Sequence, residues 1–279
     1  MISCKTLIHQ PRASHQRFVK KDINEGPVCF QLSGSDPEEL AEATRIVTDY
    51  GADLIDLNCG CPVNKIRRKG AGSSLLTDPQ RLYQLIIAMK NNTHVPVSIK
   101  IRVEGRSGEK FNQEIAQVVE DAGLDFLVVH GRHWTEHYET PCQHDEIKFF
   151  VERLSIPVIG NGDIACVESL QKMFATGCAG VMIGRAGVGQ PWLIRKLIAE
   201  MQQNEFVMPG MQQIGSIFIE HIAALAELLE SEKFALLHAR KFAKYYARSL
   251  PKKVEFCAVM NECEGWENFI VLCRSWFNA

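Results

Sequence analysis

The residues of this chain best suited to chemistry lie between Leu54 and Leu76. The apolar run Leu54-Ile55-Asp56-Leu57 stops at Asn58-Cys59-Gly60-Cys61-Pro62, a polar turn carrying two thiols. Behind it come a basic loop (Lys65, Arg67, Arg68, Lys69) and a small-residue run, Gly70-Ala71-Gly72-Ser73-Ser74. A strand of an α/β fold that ends in Asn, Gly and Cys places reactive groups at its C-terminal rim, where such folds put their chemistry. The same residues also suit a structural loop with an incidental thiol, and the surrounding strands tip the balance towards chemistry. Further polar residues close other apolar runs: Gln31, Lys100, His130, Asn161 with Asp163, and Gly184 with Arg185. Amide, ammonium and imidazole donors suit the carbonyl oxygens and ring nitrogens of a planar heterocycle. The glycine turns Gly160-Asn161-Gly162 and Gly184-Arg185-Ala186-Gly187 free backbone N–H groups for a phosphate, with Arg185 adding charge. Together they suggest a phosphorylated flavin.

The elements that must hold these residues repeat as one module. Runs at 27–32, 54–57, 96–102, 126–132, 157–163 and 180–185 read as strands, each delivering polar groups at its C-terminal end. Helices follow: Asp36-Pro37-Glu38-Glu39 and Asp78-Pro79 are helix openings, with Asp as N-cap and Pro at the first position. The loop from Val103 to Lys110 carries Arg106 and Lys110 ahead of a helix over about 111–122. Strand–helix alternation with strands apolar on both faces predicts a parallel sheet covered by helices. No GxGxxG fingerprint or switch point appears, so the fold class is α/β, a (β/α)8 TIM-type barrel, over residues 1–205. Residues 1–26 show no clear strand. From 206 to 279 strands vanish and helical stretches at 214–230, 234–248 and 251–262 form a small all-helical domain. Its second helix carries Arg240, Lys241, Lys244 and Arg248 among Phe242, Tyr245 and Tyr246, which predicts one basic, aromatic face.

Bulk composition narrows the function classes. A formal net charge of −2 gives no global basic field, so nucleic-acid binding must use local patches. No run of about 18 apolar residues predicts a membrane span, and the amino terminus has no apolar signal core. The ten cysteines lack paired spacing and read as reduced cytosolic thiols, most of them small buried hydrophobes, in a cytoplasmic protein. A metal site is unsupported, since Cys59-x-Cys61 and Cys142-x-His144 lack partners at matching distance. No nucleophile elbow supports a serine hydrolase.

With these residues in view, the chain resembles the tRNA-dihydrouridine synthase family. The resemblance rests on Gln31-Leu32-Ser33-Gly34-Ser35-Asp36-Pro37, Asn58-Cys59-Gly60-Cys61-Pro62, Lys100-Ile101-Arg102, His130-Gly131-Arg132, Gly160-Asn161-Gly162-Asp163 and Gly184-Arg185-Ala186. Arg68-Lys69-Gly70-Ala71-Gly72-Ser73 is most similar to the bacterial B-type branch. The resemblance implies an oxidoreductase acting on CH–CH groups, which uses FMN and NADPH to reduce the C5–C6 bond of selected tRNA uridines. Hydride passes from flavin N5 to C6, and a cysteine that maps onto Cys61 protonates C5. It also implies that Gln31, Lys100 and His130 contact the flavin ring and ribityl chain. Asn161, Asp163, Gly184 and Arg185 then line the ribityl and phosphate end. Asn58 helps hold the uracil, and Lys65, Arg68, Arg240, Lys241 and Lys244 meet tRNA. The family's first strand, roughly APMxGVTD, has no counterpart here, and Met1-Ile2-Ser3 looks like the end of its second strand. The expectation is therefore an N-terminally incomplete barrel acting as a monomer on tRNA, without metal or membrane. Two alternatives stay open: an FMN barrel oxidoreductase of a small pyrimidine-like substrate, and a truncated, non-catalytic RNA-binding remnant.

Overall fold

The computed structural model describes residues 1–104 and 109–277; Arg106, assigned above to a loop, lies outside them. Seven parallel strands form one sheet in the order of the sequence: β1 (Ile2–Ser3), β2 (Cys29–Ser33), β3 (Leu54–Cys59), β4 (Val97–Arg102), β5 (Phe126–His130), β6 (Val158–Asn161) and β7 (Gly180–Met182). That order is the winding of a (β/α)8-type barrel with seven of its strands. The strand that closes an eight-stranded barrel between β7 and β1 is not among the described residues. Ile2–Ser3 pairs with Leu32 and Ser33, the place expected from its likeness to a second barrel strand.

Helices follow the strands: α1 (Cys4–His9), α2 (Gln16–Val19), α3 (Pro37–Asp49), α4 (Asn64–Arg67), α5 (Pro79–Lys90), α6 (Glu109–Asp121), α7 (His144–Arg153) and α8 (Val167–Phe174). The two Asp-Pro openings act as read. Asp36 accepts from the Glu38 and Glu39 N–H groups at 3.0 and 3.1 Å, and Asp78 accepts from the Arg81 N–H at 2.9 Å. Contacts divide the chain into two compact units, Met1–Ile164 with Glu168–Ile183, and Ala165–Val167 with Gly184–Ala279. The change in sequence pattern near 205 lies beyond that division, so α9 (Leu193–Met201) counts with the second unit.

Strand alternation assigns the two sheet faces. A Cβ on Gly160 would run into Met173 Sδ on α8, so Gly160 and its row face the helices. Leu57, Cys59, Ile99, Ile101, Leu127 and Val129 occupy that row across β3 to β5 and are fully or almost fully buried. The alternate residues line the other face: Gln31, Asp56, Asn58, Ser98, Lys100, Arg102, His130 and Asn161. The expectation of strands apolar on both faces thus holds for only one face. The polar face is a spine of hydrogen-bonded side chains.

The second unit packs α10 (Met211–Leu229), α11 (Glu232–Tyr246), α12 (Lys253–Glu262) and α13 (Trp266–Phe277) around Phe218, Ile222, Tyr246, Phe256, Met260, Phe269 and Phe277. Helix α13 has the helical spacing of buried Phe269, Cys273 and Phe277, a signal passed over in the sequence reading. The basic, aromatic face expected for α11 forms around Tyr245 alone of its aromatics, with Lys244 Nζ and the Arg248 guanidinium 5.0 and 5.6 Å from that ring. Tyr246 is in the core and Phe242 packs against it, while Lys241, Lys244 and Arg248 are exposed. Period 3.6 puts residues 242 and 246 on the side opposite the lysines.

Candidate active site

The turn after β3 is wired from both sides. Asn58 Oδ1 accepts from the Cys61 N–H at 3.0 Å, so the side chain closes an Asx-type turn that holds Cys61 at the strand end. The Cys61 carbonyl accepts from the Ser73 N–H and Oγ, both at 3.1 Å. Arg67 Nη1 in turn donates to Ser73 Oγ at 2.8 Å. Gly72 makes this approach possible. Its φ is +64°, and a Cβ there would lie 2.7 Å from the Cys61 carbonyl oxygen and 3.1 Å from Cys61 Cβ. The small-residue run following the basic loop is therefore the seat of the Cys61 turn.

Beneath the turn runs a chain of polar side chains. Asn58 Nδ2 donates to Gln31 Oε1 at 2.9 Å, and Gln31 Nε2 donates to Asp56 Oδ2 at 2.7 Å. Ser98 Oγ donates to the other oxygen, Asp56 Oδ1, at 2.7 Å. Asp56 is 3% exposed, and burial pushes its carboxyl up to about 6 despite the Ser98 and Gln31 hydrogen bonds and the Lys100 charge. Burial also brings Lys100 down to about 8, with Asp56 opposing that shift. No hydrogen bond ties the Lys100 ammonium to another described residue.

His130, at the end of β5, is buried and held neutral. Its pKa falls to about 3, first through burial and then through the positive charges of Lys100, Arg102 and Arg132. Its Nε2 is 3.1 Å from Arg132 Nη1. Guanidinium only donates, so Nε2 accepts and Nδ1 carries the proton. Arg132, 1% exposed, is the anchor of the loop beyond. It donates to Thr140 O at 2.6 Å, Tyr138 O at 3.1 Å and Asp163 Oδ1 at 2.6 Å. Asp163, with φ +52°, also accepts from the Cys142 N–H at 2.9 Å. Its carboxylate therefore serves the protein framework. Asn161 Nδ2 donates across to Met182 O at 2.8 Å, tying β6 to β7.

The structure thus brings Gln31, Asn58 and Cys61 into one connected network, and Lys100 and His130 into mutual electrostatic reach. Lys65 and Arg68 are exposed beside the turn, while Arg67 lies over the Trp134 ring at 3.4 Å. In the second unit Gly184 and Arg185 are exposed, and Arg248 donates to the Arg185 and Ala186 carbonyls, both at 2.9 Å. Lys241 and Lys244 face solvent, whereas Arg240 is partly buried and donates to Cys263 O at 3.2 Å. Asp56, Ser98, Arg102, Arg132 and Tyr138 escaped the sequence reading as site residues. Burial lowers the Arg102 guanidinium from its ordinary value, and Tyr138 and Cys61 are among the groups that oppose that shift. An aspartate within an apolar strand and arginines beginning a polar loop were the available signals. No group of three metal-ligating side chains occurs among the described residues, and no helix among them is long and apolar enough to cross a membrane.

Comparison with known proteins adds to this geometry. The chain is similar to tRNA-dihydrouridine synthase B of Pasteurella multocida, 33% identical over 90% of this chain and 76% of that protein. The protein of that name from Pseudomonas syringae is 32% identical over 100% and 82%, and that of Salmonella typhimurium 32% over 99% and 86%. Among solved structures, the crystal structure of DHODH in complex with ferulenol from Eimeria tenella superposes with a TM-score of 0.50 at 14% identity. It covers 69% of this chain and 61% of the other, a likeness of fold alone. The sequence pattern of the family described as dihydrouridine synthase, Dus, matches residues 1–276. With that match spanning both compact units and the Cys61 turn, the chain belongs to the dihydrouridine synthase family.

Proposed function

We propose that this chain reduces the C5–C6 double bond of selected uridines in tRNA to 5,6-dihydrouridine, with FMN as cofactor, NADPH as reductant and Cys61 as proton donor. The observation that carries the reading is a set of unspent donors on one sheet face, beside a thiol fixed by a dedicated turn. Gln31 and Asn58 each use one N–H of their amide groups within the network and keep a second. Among the described residues nothing hydrogen-bonds the Lys100 ammonium, and His130 has Nδ1–H to donate. Such a set fits the carbonyl oxygens and ring nitrogens of an isoalloxazine, so Gln31, Lys100 and His130 are the proposed ring and ribityl contacts. Asn161 and Asp163 are proposed to line the ribityl end through the backbone their side chains fix. Gly184 and Arg185 are proposed phosphate contacts by residue type. FMN, when bound and reduced, supplies the hydride that adds to C6.

The protein's own part is to bind, orient and protonate. Asn58 holds the uracil with its remaining N–H, and Cys61 Sγ delivers its proton to C5 as the hydride arrives. The thiolate then regains a proton from water, which closes the balance at one hydride and one proton per uridine. The base must leave the RNA stack to reach the turn, which is cheapest in a tRNA loop. Lys65, Arg68, Lys241 and Lys244 are the proposed phosphate contacts; Arg240, tied to Cys263 O, contributes through the helix it steadies.

The test compares wild type with Cys61→Ala on unmodified tRNA and on free uridine, with the visible spectrum recorded first. The expected result is a flavin spectrum in both proteins and dihydrouridine only with wild type and tRNA. Equal product from Cys61→Ala removes the thiol from the mechanism. Product from free uridine supports the small-pyrimidine alternative, and a colourless protein that shifts tRNA supports the non-catalytic one.

A further inference from the structure

The network under the Cys61 turn has a direction, and Asp56 fixes it. An ionised carboxylate can only accept hydrogen bonds, so Gln31 must turn its NH2 towards Asp56 and its Oε1 towards Asn58. Asn58 must then give its NH2 to Gln31 and keep Oδ1 for the Cys61 N–H. At the far end, a backbone N–H can only donate, which demands the same Asn58 orientation independently. Two amides with interchangeable ends are thereby held between one group that only accepts and one that only donates. We propose that Asp56 is a positioning residue for the reaction. It sets the polarity of the Gln31–Asn58 pair so that Asn58 anchors Cys61 while both leftover N–H groups serve ligand carbonyls. This inference rests on the function proposed above for Cys61.

Two features support a role beyond packing. Burying a carboxylate among strands is costly, and here the group neither touches solvent nor closes an ion pair within hydrogen-bond distance. An asparagine of equal size would fill the same volume without that cost, yet would present either a donor or an acceptor to Gln31. With a donor at position 56 the pair can reverse. Asn58 would then face the Cys61 N–H with its own NH2, and the turn would lose its anchor.

The test is a polarity swap on the full chain, read by backbone amide exchange of selectively labelled Cys61. Asp56→Asn is expected to speed Cys61 exchange by about tenfold, the scale set by one lost hydrogen bond. The double variant Asp56→Asn with Asn58→Asp carries the same net charge and runs the chain in reverse. Asn at 56 donates to Gln31, Gln31 donates to Asp at 58, and that carboxylate accepts from Cys61. Its Cys61 exchange is expected to return to within about threefold of wild type. Dihydrouridine formation is expected to stay low, because position 58 no longer has an N–H. A role in packing alone predicts instead that the double variant is worse than either single one.

Unchanged exchange in Asp56→Asn, or a double variant no slower to exchange than Asp56→Asn, overturns the proposal. If Asp56→Asn does not fold, wild-type NOEs decide. The Asn58 NH2 protons are expected against Gln31, and finding them against the Cys61 N–H overturns it. A wild type that makes no dihydrouridine removes the function reading and leaves the exchange result standing.

Discussion

Replacing Arg132 by methionine tests whether a buried guanidinium organises the loop after β5. The side chain is 1% exposed and donates to the Thr140 and Tyr138 carbonyls, to His130 Nε2 and to Asp163. Each carbonyl lies in an accessible loop and can recover water, so each lost bond costs about 1 kcal/mol. Breaking a buried ion pair costs roughly 3–5 kcal/mol, but Asp163 is 38% exposed and rehydrates, which cuts that share to about 1 kcal/mol. Methionine fills most of the volume and removes a desolvated charge. The net loss is about 2–3 kcal/mol, or roughly 5–10 °C in melting temperature for a unit of this size. A second readout is the His130 ring. Its pKa of about 3 reflects burial first and the Lys100, Arg102 and Arg132 charges next, so losing Arg132 moves it upward. With the folded value depressed, His130 contributes stability that is present above about 6.5 and lost as pH falls towards 3. The variant loses less by this route, so the stability gap to wild type narrows below pH 6.5. Thermal melts from pH 4 to 8, with histidine NMR titration, check both points. A melting temperature within about 2 °C of wild type and an unmoved His130 would refute the anchoring role.

Further outcomes follow from the same geometry. Gly72→Ala places a Cβ 2.7 Å from the Cys61 carbonyl at φ +64°, and should cost about 1–3 kcal/mol and displace the thiol. Gly51→Ala, at φ +81° in open space, should cost only about 1 kcal/mol and leave dihydrouridine formation intact, so equal activity losses would contradict the turn assignment. Lys100→Met should raise the melting temperature of flavin-free protein while weakening flavin binding, because a buried charge is removed. In wild type the folded Lys100 value of about 8 lies below the usual 10.5, so stability recovers between those pH values, and a flat profile there in Lys100→Met is the check. Lys241→Ala with Lys244→Ala should weaken tRNA binding equally across sequences and lower the salt slope by about 1–2, measured by titration at several salt concentrations. An unchanged slope removes both lysines from the interface.

The parallel alternation was legible because each strand is a short apolar run closed by polar residues, followed by a helix with its own Asp-Pro opening. The Cys61 turn was legible for the same reason: Asn, Gly, Cys and Pro cannot extend a buried strand, so their clustering marks a rim. Ile2–Ser3 was legible only through resemblance, since a pair of residues carries no period of its own. The face of α11 was legible only in part, because residue types were counted without phase: Tyr245 stands with Lys244 and Arg248, while two other aromatics turn inward. Phe242 and Tyr246 share a spacing with the lysines, but not a direction.

What the sequence determined by itself was where the strands end and which polar residues close them, because residue types and spacings are local properties. Tertiary structure alone decided which side chains connect. Gln31 and Asp56 lie on different strands, Asp56 and Ser98 are 42 residues apart, and only parallel register sets their oxygens and nitrogens at 2.7 Å. It also decided protonation, since burial moves Asp56, Lys100 and His130 from their ordinary values. Hydrogen-bond direction and desolvation depend on neighbours brought together by the parallel register of the sheet, and no window along the chain contains them.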